Sequence, residues 1–524
     1  MTTITWILAA SAAAFGSALG FRLPTVPLLI LAGVALGAAG VLPGGTLLQE
    51  VLLLGLTFLV FVAGTELNPL RVGAQRNAAV RIGFTQFFLI CAIGFGVALK
   101  LGFEWAPALY MGLALTASST LVVLDILRQR RQFFEPFGRL VVGVLLVQDV
   151  LIILCIAALG SLDAGPAGIA QSLAGIAGLV VLTWIWARWL MPLLLLRLKL
   201  DEETQLLLVL ANLFVFLGLA QLLGLPLPAG AFLAGVSLSP FPINGIVRGQ
   251  MSSLFDFFLA LFFVTLGATL DLPNPDTLSL AAALTLLVLL VTPPLVTLIS
   301  FGAGLSARTG IEGGLLLAQC SEFSLVLALA GMGQGHIETE MLAVVAFVTV
   351  LTMILTPFIA TDAMTWRLMR WLPSGRRVVL TPRPQDHVLL LGCGPNTRQL
   401  LDTLVAHRQR VVVVDDDPAV VEQLRAEGIE AVRGDGADYN LLRVTGARHA
   451  RVIVSTMRRV QDNERLARFA HGGKVIVRVF EPEQAQRLRE AGAIPVLYSA
   501  VAVEGFLRWL GDDFNPSRKA AVRA

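Results

Sequence analysis

Over roughly the first two thirds of the chain, long apolar stretches follow one another with only short charged or Pro/Gly-containing breaks. That succession limits the fold more than any other feature. A helix needs roughly 20 mainly apolar residues to cross the hydrocarbon core of a bilayer, and in lipid the backbone is satisfied only by helices or closed barrels. Such windows fall near 4–20, 26–42, 47–67, 78–99, 106–127, 138–160, 167–190, 203–223, 227–239, 252–270, 278–302, 311–333 and 341–362. About thirteen spans are therefore predicted, the ninth unusually short. The first window has no basic flank and no A-x-A exit, so it is expected to be a true span rather than a cleaved signal. Composition agrees: 14% of the 524 residues are charged, whereas soluble domains carry about 25%.

Loop charge predicts the orientation. One set of alternate loops holds Arg22, then Arg71, Arg76 and Arg81, then Arg128, Arg130, Arg131 and Arg139, followed by Arg188, Arg197, Lys199, Arg248 and Arg308. The other set holds Lys100 with Asp163, Asp271, Asp276, Glu338 and Glu340. Basic loops stay in the cytoplasm, so the N-terminus is expected outside and, after an odd number of spans, the C-terminus inside. The expected location is the inner (cytoplasmic) cell membrane, with lipid as the surrounding medium.

From Trp366 to Asp386 the texture turns to Arg, Pro and Ser, and beyond it the pattern is that of a soluble domain. HVLLLG (387–392) and RVVVVD (410–415) read as buried strands, followed by helices near 396–407 and 418–427. IEAVRGD, ARVIVST and KVIVRV supply three more strands. Alternation at this spacing means a parallel, doubly wound, Rossmann-like α/β domain. The expected organisation is a polytopic α-helical membrane domain (1–363), a linker (364–385), the α/β domain (386–506) and a basic C-terminal tail (507–524).

Within the apolar run, Asp149 in GVLLVQDVLIILCIAAL is the most informative residue. A carboxylate at mid-span costs roughly 2.5–3.5 kcal/mol on insertion scales, which points to a proton or cation site; the alternative is a helix–helix hydrogen bond. Its neighbour Gln148 is polar but does not ionise. In the preceding span, Thr116, Ser118, Ser119 and Thr120 place four hydroxyls within about one and a half turns. Hydroxyls there either re-satisfy the backbone of a broken helix beside an ion site or let helices pack closely. The twelfth span repeats the theme with Gln319, Ser321, Glu322 and Ser324. Two polar-interrupted spans in corresponding halves point to an inverted-repeat transporter with its site at the midplane. Glu322 reads either as a second titrating group or as a structural acid capping a broken helix, and Glu66 as interfacial and structural. Cys91, Cys155, Cys320 and Cys393 lack metal-type spacing and read as small core hydrophobes. The five histidines form no ligand cluster, so no metal is expected.

In the soluble part, LLLGCGPNTRQLL follows a strand and opens a helix, the context a dinucleotide fingerprint needs. Gly392 allows the tight turn, and Gly394 lets a phosphate approach the backbone at the helix N-terminus. Cys393, Pro395 and Asn396 fill the loop, and Thr397 replaces the third glycine. Asp415, ending the second strand, stands where an acid accepts from ribose hydroxyls. A Rossmann-type domain that binds nothing is the alternative.

The ALTASST, QD and LAQCSEF blocks, with LPLPAGAFLAGVSLS (225–239) and LFFVTLGATLDL (261–272), resemble the monovalent cation–proton antiporter-2 family. The layout is most similar to its Kef-type potassium efflux members, which carry the same fused C-terminal domain. DDDPAVVEQLRAEGIEAVRGDG, with Asp415 and Asp416, and GDGAD (434–438), with Gly434, Asp435 and Gly436, resemble potassium-transport nucleotide-binding (TrkA-N) domains. The resemblance implies a homodimeric, elevator-type antiporter in which K⁺ or Na⁺ and H⁺ compete at Asp149. It also implies an adenine nucleotide (AMP, ATP or NAD(H)) as a regulatory effector, with no catalytic cofactor and no nucleic-acid partner. K⁺/H⁺ exchange is the expected activity; a Na⁺/H⁺ antiporter and a ligand-gated K⁺ efflux channel are the alternatives. A membrane-anchored oxidoreductase is disfavoured, because the chain offers no second substrate domain and no haem or flavin ligand pattern. Three departures stand out. The stretch before the LFFVTLGATLDL block is neutral to basic where Kef proteins are acidic. The eleventh span reads LLVLLVTPPLVTLIS with no lysine, and Met457, Arg458 and Arg459 replace an acidic pair after the fourth strand.

Overall fold

The computed structural model describes residues 2–21, 23–40, 46–66, 73–133, 135–194, 201–240, 245–270, 274–369, 384–470, 474–499, 503 and 506–507. Most of the expected linker (364–385) and all but the first residue of the expected tail (507–524) lie outside them. The chain divides into two compact units: a helical one, Met1–Leu305 with Thr309–Leu368, and one that contains the α/β sheet, Met369–Ala524 with Ser306–Arg308.

The helical unit contains α1 Thr2–Phe21, α2 Thr25–Ala38, α3 Thr46–Glu66, α4 Arg76–Lys100, α5 Trp105–Ala114, α6 Thr120–Gln129, α7 Pro136–Leu159 and α8 Gly165–Ile185. It continues with α9 Glu202–Leu222, α10 Leu227–Leu238, α11 Gly245–Thr269, α12 Pro275–Gly302, α13 Ala307–Leu316, α14 Glu322–Gly333, α15 Thr339–Ile359 and α16 Asp362–Met369. Among the described residues, eight helices are long and apolar enough to cross a membrane, and four shorter apolar ones accompany them. The difference from thirteen windows has two causes. Some helices are simply short, as α2 and α10 are. The fifth and twelfth windows are each broken in the middle, into α5/α6 and α13/α14.

A long–broken–long pattern thus occurs twice, as α4, α5/α6, α7 and again as α12, α13/α14, α15. Within each repeat the first long helix packs on the first half-helix through small residues, which let backbones approach closely. A Cβ on Gly94 of α4 would come within 2.9 Å of Gly112 Cα in α5, and one on Gly314 of α13 within 2.7 Å of Pro293 Cα in α12. In the eleventh span, which carries no lysine, Pro293 lies against the backbone of α13 and Thr292 beside it is buried.

The α/β unit is a six-stranded parallel sheet in the order β3-β2-β1-β4-β5-β6. Its strands are β1 Val388–Leu391, β2 Val411–Asp415, β3 Glu430–Arg433, β4 Val452–Ser455, β5 Lys474–Val479 and β6 Ile494–Leu497. The connecting helices are α17 Pro395–Ala406, α18 Pro418–Ala426, α19 Tyr439–Val444, α20 Val460–Phe469 and α21 Pro482–Glu490. Five strands are predicted by the sequence and six are found. The sixth, IPVL, is a half-exposed edge strand, and Pro495 within it argues against a strand from sequence. β1 and β2 are buried along nearly their whole length, as a central parallel strand covered by helices on both faces should be. Because β1 pairs with both β2 and β4, strand order reverses beside it, and the carboxyl end of β1 becomes the crevice where ligands bind in such sheets.

Candidate functional site

The chain unwinds at residues 115–119, between α5 and α6, and again at 317–321, between α13 and α14. The residues that interrupt the two spans are the ones that hold them together. Ser118 Oγ donates to the Leu317 carbonyl (2.8 Å), and Ser324 Oγ donates to the Ala114 carbonyl (2.5 Å). Each hydroxyl satisfies a backbone oxygen that a broken helix would otherwise leave bare. Thr116 Oγ1 donates to the Leu113 carbonyl (2.7 Å) within the first span.

Both inner half-helices start on a serine cap. Ser119 Oγ accepts from the Val122 N–H (3.3 Å), and Ser321 Oγ accepts from the Phe323 N–H (3.1 Å). The same hydroxyls donate to one carboxylate: Ser119 to Glu322 Oε1 (3.2 Å) and Ser321 to Glu322 Oε2 (3.0 Å). Glu322 therefore links the N-caps of α6 and α14. A negative charge is favourable there, since each helix N-terminus carries partial positive charge.

Asp149 is held differently. It lies in the middle of α7 and is 2% exposed. Its Oδ2 accepts from Thr120 Oγ1 (3.1 Å), in the first turn of α6. Gln148 Oε1 accepts from the Ser118 N–H in the break (3.1 Å), and Gln319 Nε2 donates to the Leu316 carbonyl (3.2 Å). Asp149 Oδ1, Gln148 Nε2 and Gln319 Oε1 are buried with no hydrogen-bond partner among the described residues. Buried polar atoms are seldom left so, and three beside two unwound stretches fit an ion or water site. The second repeat has a matching contact without a charge, since Thr352 Oγ1 in α15 accepts from the Cys320 N–H (3.0 Å). Sequence reasoning names every one of these residues except Thr352, whose hydroxyl is indistinguishable from any packing threonine in a span. It also misses a chain at the other end of the half-helices. There Tyr110 Oη lies 3.0 Å from His336 Nδ1, whose Nε2 is 3.2 Å from Asp163.

In the α/β unit, the loops after β1, β2 and β3 bring together Gly392–Gly394, Asp415–Asp416 and Gly434–Gly436. Gly392 has φ +87, and its N–H donates to the Val414 carbonyl (2.8 Å). A Cβ there would collide with Thr456 Oγ1, which donates to the Leu391 and Gly392 carbonyls. Thr456 thus fastens the loop, a role not visible from sequence. Gly394 caps α17, and space around its missing Cβ is open. Thr397 is buried, and its N–H donates to the Gly394 carbonyl (2.8 Å). The side chains of Pro395 and Asn396 lie outside the described residues. Asp415 accepts from the Cys393 N–H through Oδ2 (2.6 Å) and from the Asp417 N–H through Oδ1 (2.9 Å), so it joins the first two loops. Asp435 Oδ1 accepts from the Ala437 N–H (2.9 Å), and Gly436 packs on Leu391 and Met457. Burial, with Asp415 nearby, pushes the Cys393 thiol up, which suits an unreactive core thiol.

Comparison with known proteins agrees with both units. The family described as sodium/hydrogen exchanger, transmembrane, matches residues 7–366, and the TrkA-N domain matches residues 388–499. The structure of the sodium proton antiporter MjNhaP1 from Methanocaldococcus jannaschii covers 70% of this chain and 98% of its own, at 16% identity and a TM-score of 0.54. At that identity the likeness is one of fold. The TrkA-N domain of the inner membrane protein ybaL from Escherichia coli covers 24% of this chain and 98% of its own, at 22% identity and a TM-score of 0.23.

Proposed function

Because the chain belongs to the sodium/hydrogen exchanger family, we propose that it is a K⁺/H⁺ antiporter that exports potassium and is regulated by a nucleotide at its TrkA-N domain. It is a multi-pass transporter rather than an enzyme, built from a cation/proton exchanger domain and a Rossmann-like TrkA-N domain. The observation that carries the reading is Asp149, a buried mid-span carboxylate whose second oxygen has no partner among the described residues. A charge so placed is stable only with a proton or a cation on it. Asp149 Oδ1, Thr120 Oγ1 and Gln319 Oε1 offer oxygens to a dehydrated cation, while Gln148 and Ser118 hold the first break against α7. Ser119, Ser321 and Glu322 keep the two half-helices in register, and Thr116 closes the end of α5. Proton and cation then compete for one carboxylate, and loading either one neutralises the site for its crossing. Sodium is the alternative cargo, because carboxylate and hydroxyl oxygens coordinate both ions.

Residues 1–363 form the transport domain in this reading and 386–506 the regulatory one. The glycine loop of residues 392–397, with Asp415, Asp416 and Gly434–Gly436, would receive AMP, ATP or NAD(H). The open space at the exposed Gly394, N-cap of α17, supports a phosphate there. The arginine asymmetry supports an N-terminus outside and a cytoplasmic C-terminal domain; the inner membrane and a homodimer complete the reading, by family resemblance. The test is reconstitution into liposomes with a pH-sensitive dye and imposed K⁺ or Na⁺ gradients, with and without AMP and NADH. Cation-dependent proton movement is expected, larger with K⁺. Cation flux that ignores the pH gradient and survives Asp149→Asn would instead identify a channel.

A further inference from the structure

Tyr110, His336 and Asp163 meet at the end of the half-helices that points away from the two breaks. They come from three separate elements: Tyr110 from α5, Asp163 from the loop between α7 and α8, and His336 from the loop between α14 and α15. His336 owes its position to the way α14 stops. Gln334 caps the helix and Gly335 takes φ +75. The Gly335 N–H donates to the Met332 carbonyl (3.0 Å), and the His336 N–H donates to the Gly331 carbonyl (2.9 Å). That pair of bonds ends a helix in a fixed direction. It leaves the imidazole beside a helix C-terminus, where partial negative charge favours a cation. Gly331 also lies close against Tyr110, since a Cβ there would stand 2.6 Å from the phenol ring.

The three side chains run from the interior to solvent. Tyr110 is 2% exposed, the His336 side chain 10% and the Asp163 side chain 79%. Tyr110 Oη lies on Nδ1, and both Asp163 oxygens are 3.2 Å from Nε2, so each ring nitrogen has a partner in either protonation state. With one proton, on Nε2, the imidazole donates to Asp163 and accepts from the Tyr110 hydroxyl. With two it donates to both, at the cost of turning the Tyr110 O–H aside. Each bond is then charge-assisted and roughly twice as strong. Among the described residues, Tyr110 and Asp163 are the titratable groups in contact with the ring. Glu338 and Glu340, at the start of α15, add negative charge a few residues along the chain.

We propose that His336 is a proton-operated latch: charged, it holds the ends of α5 and α14, one half-helix from each repeat, to the loop between α7 and α8; neutral, it lets them part. Histidine is the side chain suited to change charge near neutral pH. The latch therefore tightens as pH falls on the face where α7 and α14 end, external in the proposed orientation. α7 closes the first repeat and α8 lies outside both, so the loop carrying Asp163 joins the repeats to the rest of the helical unit. A bond made to that loop has to yield before the half-helices move against it. The latch needs no particular cargo, and only its effect on exchange rests on the antiport reading.

The experiment is amide hydrogen exchange on the full-length protein carrying Asp149→Asn, so that pH cannot act through the exchange carboxylate. Peptides covering the end of α14 and the loop between α7 and α8 are compared with and without His336→Gln, each pair at the same pH. At about pH 6 the His336 protein should exchange there about fivefold more slowly than His336→Gln, and at about pH 8 the two should match. Asp163→Asn, an exposed substitution, should remove most of the difference between acid and alkaline pH, and it serves alone if His336→Gln does not fold. Equal exchange at both pH values would overturn the proposal. So would a difference of the same size at both, which marks a merely structural histidine, or an acid-side difference that survives Asp163→Asn. In vesicles with the opposite face held at constant pH, His336→Gln in the otherwise native chain should exceed wild-type exchange several-fold near pH 6 and equal it near pH 8; a ratio that ignores pH on that face would overturn the latch. If wild type couples no cation to protons, the antiport reading fails, and hydrogen exchange still decides the latch.

Discussion

Asp149 and Glu322 are both buried carboxylates beside the helix breaks, and their surroundings call for opposite outcomes on neutralisation. In Asp149→Asn the amide occupies the same volume, and its oxygen can still accept from Thr120. At most one hydrogen bond is weakened, with a net cost of about 1 kcal/mol or less, set against relief from burying a charge. Melting in detergent should stay near wild type or rise, while cation-coupled proton movement is lost. In Glu322→Gln the amide nitrogen cannot accept, so it faces Ser119 or Ser321 as donor against donor. A serine oxygen that already accepts from the Val122 or Phe323 N–H could also accept from the amide, but its own buried O–H would then lose its acceptor. Losing one charge-assisted bond costs about 1.5–3 kcal/mol, and losing negative charge at two helix N-termini adds to it. Glu322→Gln should therefore melt measurably lower, yet keep some exchange in liposomes. Paired thermal-shift and dye-based exchange assays separate the two. Wild-type exchange in Asp149→Asn, or a destabilisation larger there than in Glu322→Gln, would refute the division of roles.

Gly394→Asp places a side chain and a like charge where a phosphate should approach. The stabilisation expected for wild type from AMP, ATP or NAD(H) at 100 times its dissociation constant, about 2.7 kcal/mol, should vanish in a thermal-shift titration, and no stabilisation of wild type by any of them would refute the site. Exchange should be one cation for one proton, so solid-supported membranes should record no steady current; a sustained current, or a reversal point displaced by voltage, would rule this out. A reporter fused after Asp386 should be cytoplasmic and one beside Asp163 external, and finding both on one side would break the topology. Burial holds the His387 imidazole below its ordinary range. The unfolded chain therefore binds more protons than the folded one once pH falls below about 6.5, and α/β-unit stability, followed by hydrogen exchange on the full chain, should drop there. His387→Gln should flatten that drop, and an unchanged pH profile would reject the cause.

What was legible in the sequence is what local chemistry marks. Asp149 and the hydroxyl clusters are conspicuous because lipid makes every polar residue in a span costly. The glycine loop is conspicuous because a strand, a tight turn and a helix follow in sequence. The links that turn these residues into a site are not local. Glu322 meets Ser119 from 203 positions away, and Ser118 meets Leu317 across 199. β6 is missed because Pro495 stands inside it, and a proline within an apolar run argues against a strand.

The two repeats also differ in a way that bears on mechanism. Both present a broken span to a long helix, and in each the long helix accepts a backbone N–H from the break, through Gln148 in α7 and Thr352 in α15. The scaffolding contact is thus duplicated while the charge is not, because only α7 carries an acid at the next position. In α15 the buried Thr349, Thr352 and Thr356 hydroxyls turn back onto their own helix. Neutral groups there leave the geometry of the break intact without competing for the ion. Of the two carboxylates at the breaks, Glu322 has both oxygens committed to N-caps, and in the proposed antiport reading that leaves Asp149 to trade a proton for a cation. α12 supplies no opposing cation, since it contains no lysine or arginine. A site with one exchangeable charge carries either one proton or one monovalent ion. Each crossing then moves the same net charge, and the gradients rather than the membrane potential set the direction.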